Sequence, residues 1–252
     1  VKFFDSHAHL TSSEVLPDLP AVLERAEKAG VDRILNICTC RATLEAGLQF
    51  KLTNAGATTP HDVEKEGEAN FPLFERAARE GQLVAIGETG LDYHYLHSDR
   101  KVQQNFLVRY LHLAAETGLP VIFHCREAFA DLFAIADCEY PKTAKAILHC
   151  FTGTIEEAEQ VFERGWSLSL SGIVTFKKSE SLREVARFAP LSQLLIETDT
   201  PYLAPQSKRG KQNEPAFLVE TAACVAAARG ASLESIAEHT RENGRQLFRL
   251  LN

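Results

Sequence analysis

No stretch of this sequence stays apolar for long enough to cross a bilayer, and nothing before Phe3 reads as a signal peptide. Neither a membrane span nor secretion is therefore expected, and a cytoplasmic location is. Methionine is absent altogether, even at position 1. No low-complexity segment, internal repeat or Pro/Ser-rich linker divides the 252 residues, so a single domain over 1–252 is expected, large enough for a sizeable core. Cysteine is present at 38, 40, 125, 138, 150 and 224, but no C-x-x-C pair occurs and C-x-C is not completed into a zinc knuckle. These six read as reduced, buried thiols. Excess positive charge is lacking too. The formal net charge is −7, which excludes tight nonspecific nucleic-acid binding through the whole-molecule field. An anionic substrate would need a local basic site.

What the chain does have is alternation. Short apolar runs at 1–4, 33–37, 56–59, 83–87, 120–123, 145–148, 167–170 and 194–196 read as strands. Between them lie amphipathic patterns such as "LPAVLERAEKAG" and "IEEAEQVFERG", each stopping at a glycine where a C-cap belongs. Eight strand–helix repeats in about 250 residues is the arithmetic of a (β/α)8 TIM barrel. A doubly wound open sheet is the alternative, since alternation does not prove closure. The tail from Ser232, a good N-cap, reads as helix, with Leu233, Ile236, Leu247 and Phe248 as its apolar face.

Polar residues follow these strands in a pattern. His7 and His9 come after the first, Glu88 after the fourth, His124 after the fifth, His149 after the sixth and Asp199 after the eighth. In a parallel barrel such positions meet on one rim, where active sites lie. Residues i and i+2 of an extended segment face one way, so His7 and His9 can grip one ion. Four histidines and two carboxylates exceed one four-coordinate ion and suit two divalent ions. Singly, each residue has a plainer explanation: a solvated histidine pair, a helix cap, a core histidine, a turn aspartate. Cys125 and Cys150 follow ligands and should point away from them, as packing residues. "YLAPQSKRGKQN" carries Lys208, Arg209 and Lys211 without an acid, a local basic patch; Arg209 is the best phosphate grip, with Arg126 near His124. Tyr93 and Tyr202 are candidates to stack on an unpaired base.

The motifs "FFDSHAHL", "GETGLDYHY", "LPVIFHCREA", "HCFTGT", "SLSGIVTFK", "LLIETDTPYLAP" and "RGKQNEP" resemble the TatD family of metal-dependent deoxyribonucleases, nearly end to end. "GETGLD" and "ETDTPYLAP" are its specific parts. The resemblance implies an amidohydrolase-like TIM barrel and two divalent metals. One would be held by His7, His9, Glu88 and Asp199; Glu88 would bridge to a second, completed by His124 and His149. It implies phosphodiester hydrolysis, typically 3′ to 5′ on DNA with magnesium support, zinc or manganese being plausible bound ions. The substrate would be DNA, single-stranded or at ends, with no membrane or obligate protein partner and a monomeric state. Asp199 and Glu88 would be catalytic, Asp199 accepting the proton of the attacking water. His61, Asp92, Tyr93, Arg126 and Arg209 would meet substrate. One departure is visible: where the family often has G-x-H-P-H, this chain reads "ATTPHDVE", with Thr59 in place of the first histidine and only His61 retained. Amide or ester hydrolysis on the same barrel, and a non-catalytic metal-binding barrel, are the competing readings.

Overall fold

The structure, a computed structural model, describes residues 1–250. Along the chain run β1 (Phe3–Ala8), α1 (Leu19–Lys28), β2 (Val31–Cys38), α2 (Arg41–Gln49), β3 (Thr53–Gly56), α3 (Val63–Arg79), β4 (Ala85–Asp92), α4 (Arg100–Thr117) and β5 (Val121–Arg126). There follow α5 (Phe129–Glu139), β6 (Ala146–Leu148), α6 (Ile155–Glu163), β7 (Ser167–Leu170), α7 (Glu180–Phe188), β8 (Leu194–Ile196), α8 (Leu218–Arg229) and α9 (Leu233–Leu247). The helices start and stop where local chemistry directs. Asp99 caps α4 by accepting from the Lys101 amide at 2.8 Å, and Gly118 ends it in the left-handed conformation. Thr154 and Glu157 form a reciprocal capping box on α6, and Ser232 caps α9 as its sequence suggests. Among the described residues no single helix is long and apolar enough to cross a membrane.

Two compact units make up the chain, one of residues 1–36 with 150 onward, the other of 37–149. In the first, β1 pairs in parallel with β2, and β7 with β8. The segment after β8 returns beside β1: the Asp199 amide donates to the His7 carbonyl at 2.9 Å, and the His9 amide to the Thr200 carbonyl at 2.8 Å. Its core includes Phe4, edge-on to Phe248 at 6.1 Å, and Gly244 of α9, where an added Cβ would stand 2.1 Å from the Phe4 ring. In the second unit β3, β4, β5 and β6 pair in parallel, around buried Phe74, Tyr110 and Phe123.

Several expected strand limits are corrected. β1 runs on through His7 to Ala8, and β4 continues past Gly87 to Asp92. Polar residues end an apolar run without ending a strand whose pairing is set by its neighbour: β4 pairs with β5 at Ile86 opposite Val121, shifts register before Thr89, and then pairs residue by residue from Thr89 opposite Phe123 to Asp92 opposite Arg126. Gly90 permits that closeness, because a Cβ there would fall 1.9 Å from the His124 carbonyl oxygen. β3 spans Thr53–Gly56, ahead of the expected 56–59. The Thr58 amide is satisfied by the Tyr110 hydroxyl, at 3.0 Å, in place of a ladder bond. No disulfide forms. Cys38 and Cys125 are buried thiols, but Cys138 is exposed on α5. Cys150 lies outside any strand with φ +45°, so strand alternation does not govern it; its Sγ is 3.2 Å from the Ser171 hydroxyl.

Candidate metal centre

In the first unit β1 presents Asp5 and His7 on one side, and His9 follows at the strand's end. The Nε2 atoms of His7 and His9 stand 3.3 Å apart, and Asp199 Oδ1 lies 3.7 Å and 3.4 Å from them. Three ligand atoms of this kind within 4.8 Å of one another can surround one cation. Asp199 reaches this position from a left-handed backbone, φ +59°, in the turn after β8. Two residues that sequence reasoning passed over hold that turn. Asp5, fully buried, accepts from the Thr198 amide at 2.9 Å and the Thr198 hydroxyl at 2.5 Å. Burial drives its carboxyl up to about 7, although those bonds and the His7 amide pull it down. Asn213, also buried, donates to the carbonyls of Thr198 at 2.7 Å and Tyr202 at 2.6 Å, so the basic loop 202–213 closes back onto the aspartate's turn. The signal for Asp5 was its i−2 spacing from His7 in an extended segment; Asn213 carried none beyond its place in "RGKQNEP".

In the second unit β4 supplies Glu88 and Asp92, β5 supplies His124, and His149 comes one residue after β6. Glu88 Oε1 is 2.7 Å from His124 Nδ1 and 3.1 Å from His149 Nε2, and those two rings approach to 3.4 Å. His124 Nε2 meets Asp92 Oδ2 at 2.9 Å, so its imidazole lies between two carboxylates. Burial opposes charging of His124, but its hydrogen bonds to Asp92 and Glu88 outweigh burial and raise its pKa. Burial likewise raises the Asp92 carboxyl, yet the bond to His124, the Tyr95 amide and the charge of His124 together hold it at about 2. Gln103 clasps the Asp92 backbone, accepting from its amide at 2.8 Å and donating to its carbonyl at 3.1 Å. His61 stands in the loop after β3 with Nε2 3.6 Å from Asp92 Oδ2. Burial, then the charge of His124, pushes the His61 pKa down. Thr59 does not face outward as a ligand: it is buried and its hydroxyl donates to Asp62 at 2.9 Å.

The donor chemistry fits divalent cations in both groups. Each is a knot of imidazole nitrogens and carboxylate oxygens that face one another at 2.7–3.7 Å in a buried to half-buried setting, where uncompensated charge is costly. A cation satisfies such lone pairs together. Were His124 to bind such a cation through Nδ1, Asp92 would stand as the outer partner of its ring, a position the sequence did not reveal.

The substrate-facing expectations divide. Arg126 lies over the Tyr95 ring at 4.8 Å and donates to its hydroxyl at 3.3 Å. Arg209 is exposed with its guanidinium 4.5 Å over Phe176. Tyr93 is occupied: its hydroxyl donates to Asp131 at 2.7 Å, and Arg100 covers its ring at 4.3 Å. Burial and the hydrogen bond to Asp131 push its phenol up to about 12. Tyr202 is exposed and edge-on to His9 at 5.9 Å.

A family model described as "TatD related DNase" matches residues 4–249. The Escherichia coli (strain K12) protein named "Uncharacterized metal-dependent hydrolase YcfH" is 41% identical over 258 residues, covering 98% of this chain and 95% of its own. The Pantoea vagans protein named "3'-5' ssDNA/RNA exonuclease TatD" is 37% identical over 259 residues, covering 98% of this chain and 99% of its own. Among solved structures, the TatD homologue YJJV from Escherichia coli K12 superposes with a TM-score of 0.90 at 28% identity, over 99% of this chain and 98% of that one. The eight parallel strands alternating with helices therefore form the (β/α)8 barrel expected from the sequence, and the doubly wound alternative is set aside. The chain belongs to the TatD related DNase family and is a hydrolase of that family.

Proposed function

We propose that this protein, acting as one catalytic domain, is a metal-dependent phosphodiesterase that removes nucleotides from DNA ends or single strands in the 3′ to 5′ direction. The observation that carries the reading is the pair of donor groups, His7–His9–Asp199 and Glu88–His124–His149, each gathered within hydrogen-bonding or ion-pair distance. Each group would hold one divalent ion, with magnesium supporting turnover and zinc or manganese as alternative occupants. Two such ions would supply Lewis acidity at the phosphoryl oxygens and would lower the pKa of water, toward about 7 in favourable zinc sites.

The protein's own groups do the rest. Asp92 Oδ2 accepts from His124 Nε2, which leaves the Nδ1 lone pair for ligation. Asp199, fixed by its turn, accepts the proton of the attacking water. Glu88 holds the ring nitrogens of His124 and His149 toward a common point. Arg209 with Lys208 and Lys211, and Arg126, supply the local positive charge that a molecule of net charge −7 otherwise lacks, and contact the substrate's phosphates. The names of the relatives, hydrolase and exonuclease, do not favour amide or ester hydrolysis.

The test offers purified, metal-supplemented protein a labelled single strand, a duplex, and a panel of esters and amides. Nucleotide release from the 3′ end, abolished by chelation and weakened by added salt, supports the reading. Failure to cleave any nucleic acid under several metals overturns it.

A further inference from the structure

The loop between β4 and α4, "YHYLH" at 93–97, is the most aromatic exposed segment of its unit, and the chemistry described so far does not use Tyr95 or His97. Both are exposed, Tyr95 at 52%. Their ring planes are parallel to within 1°, with centroids 5.5 Å apart. The loop that carries them is pinned at both ends by buried groups. At its start Asp92 Oδ1 accepts from the His94 amide at 3.0 Å and the Tyr95 amide at 2.8 Å. At its end buried Ser98 donates to the His61 carbonyl at 2.8 Å, while Gln103 donates to the Ser98 carbonyl at 2.9 Å.

The same pins tie the rings to the donor group. His61 is edge-on to Tyr95 at 5.8 Å, to His97 at 5.3 Å and to His124 at 5.3 Å. Asp92, which holds the loop by one oxygen, holds His124 by the other. A cation completes the surface. Arg126 rests on Tyr95, and the nearby acid Glu127 is taken by His94 at 2.8 Å, so the Arg126 guanidinium has no acid partner among the described residues.

The geometry points to Tyr95 and His97 as a preformed shelf that stacks an unpaired nucleobase, with Arg126 on the neighbouring phosphate. Every base offers a π-face, so such a shelf accepts any sequence but requires the base to be free of its pair. An alignment fixed before binding spares the substrate the cost of ordering the loop. This inference rests on the nucleic-acid reading of the site and supplies what that reading leaves open: how a substrate strand is gripped beyond its charge.

The experiment measures fluorescence anisotropy in chelator, where hydrolysis is silent, for a labelled single strand and for a strand of equal length whose 3′-terminal bases are replaced by tetrahydrofuran units. The wild-type protein is expected to bind the base-bearing strand about tenfold tighter. Tyr95→Ala should bind both strands alike, and Tyr95→Phe, which keeps the ring and loses only the bond from Arg126, should keep the preference. Equal binding of the two strands by wild type, or an undiminished preference in Tyr95→Ala, overturns the shelf. The same samples are then given metal. A base preference without cleavage of either strand upholds the shelf and overturns the hydrolytic reading, so the two failures are distinct.

Discussion

Replacing Asp92 by asparagine isolates what this carboxylate does for His124. The change is nearly isosteric and keeps Oδ1, which accepts from the amides of His94 and Tyr95, so the loop anchor survives. What changes is the atom 2.9 Å from His124 Nε2. A carboxylate oxygen there requires a proton on Nε2 and leaves Nδ1, 2.7 Å from Glu88, as a lone pair able to bind a cation. An amide NH2 in its place requires the opposite tautomer, with the proton on Nδ1, where it blocks ligation. Loss of such an orienting partner costs about 10- to 100-fold in metal affinity or activity. That corresponds to about 1.4–2.7 kcal/mol. The assay titrates metal against a chromogenic competitor in wild type and Asp92→Asn and follows nucleotide release in the same samples. A variant that binds its second ion as tightly as wild type, and turns over as fast, refutes the tautomer argument.

Three further outcomes follow from the geometry. Asp199→Asn should abolish hydrolysis while the melting temperature stays near wild type; near-normal turnover would remove Asp199 from proton transfer. Asn213→Ala strips donors from the carbonyls of Thr198 and Tyr202, each loss worth about 1–3 kcal/mol, so urea denaturation should show a drop of about 2–6 kcal/mol, against a few tenths for an ordinary surface change. For Asp32, burial raises the carboxyl, but the bonds from Arg241 and Lys2 outweigh it and hold it below its ordinary range. The stability this adds is present above the unfolded value of about 4 and is lost as pH falls through the lower folded value. Asp32→Asn should therefore flatten the acid limb of the stability curve, and an unchanged limb would dismiss the pairing.

The sequence made some parts of this protein legible because their cause is local. H-x-H in an extended segment puts two imidazoles on one side whatever surrounds it, and His7 and His9 do approach to 3.3 Å. Ser232 begins a helix through its own side-chain chemistry, and it was readable for that reason. Asp92 was not readable in its role, because that role depends on β4 continuing to Asp92 beside β5, and only the partner strand and Gly90 permit the continuation. Asn213 contributes through two carbonyls, from 11 and 15 residues away, that no sequence pattern marks. Tyr93 and Tyr95 look alike in "LDYHY"; the fold alone decides that Tyr93 is engaged by Asp131 and Arg100 while Tyr95 is exposed.

The central claim is that two divalent ions, one in each donor group, drive phosphodiester cleavage. Its most direct test is metal content per chain, measured together with 3′ nucleotide release, for wild type, His7→Ala and His149→Ala. Two ions in wild type, one in each variant, and turnover lost with either ion is the predicted result. Full occupancy in both variants, or undiminished cleavage in chelator, would contradict it.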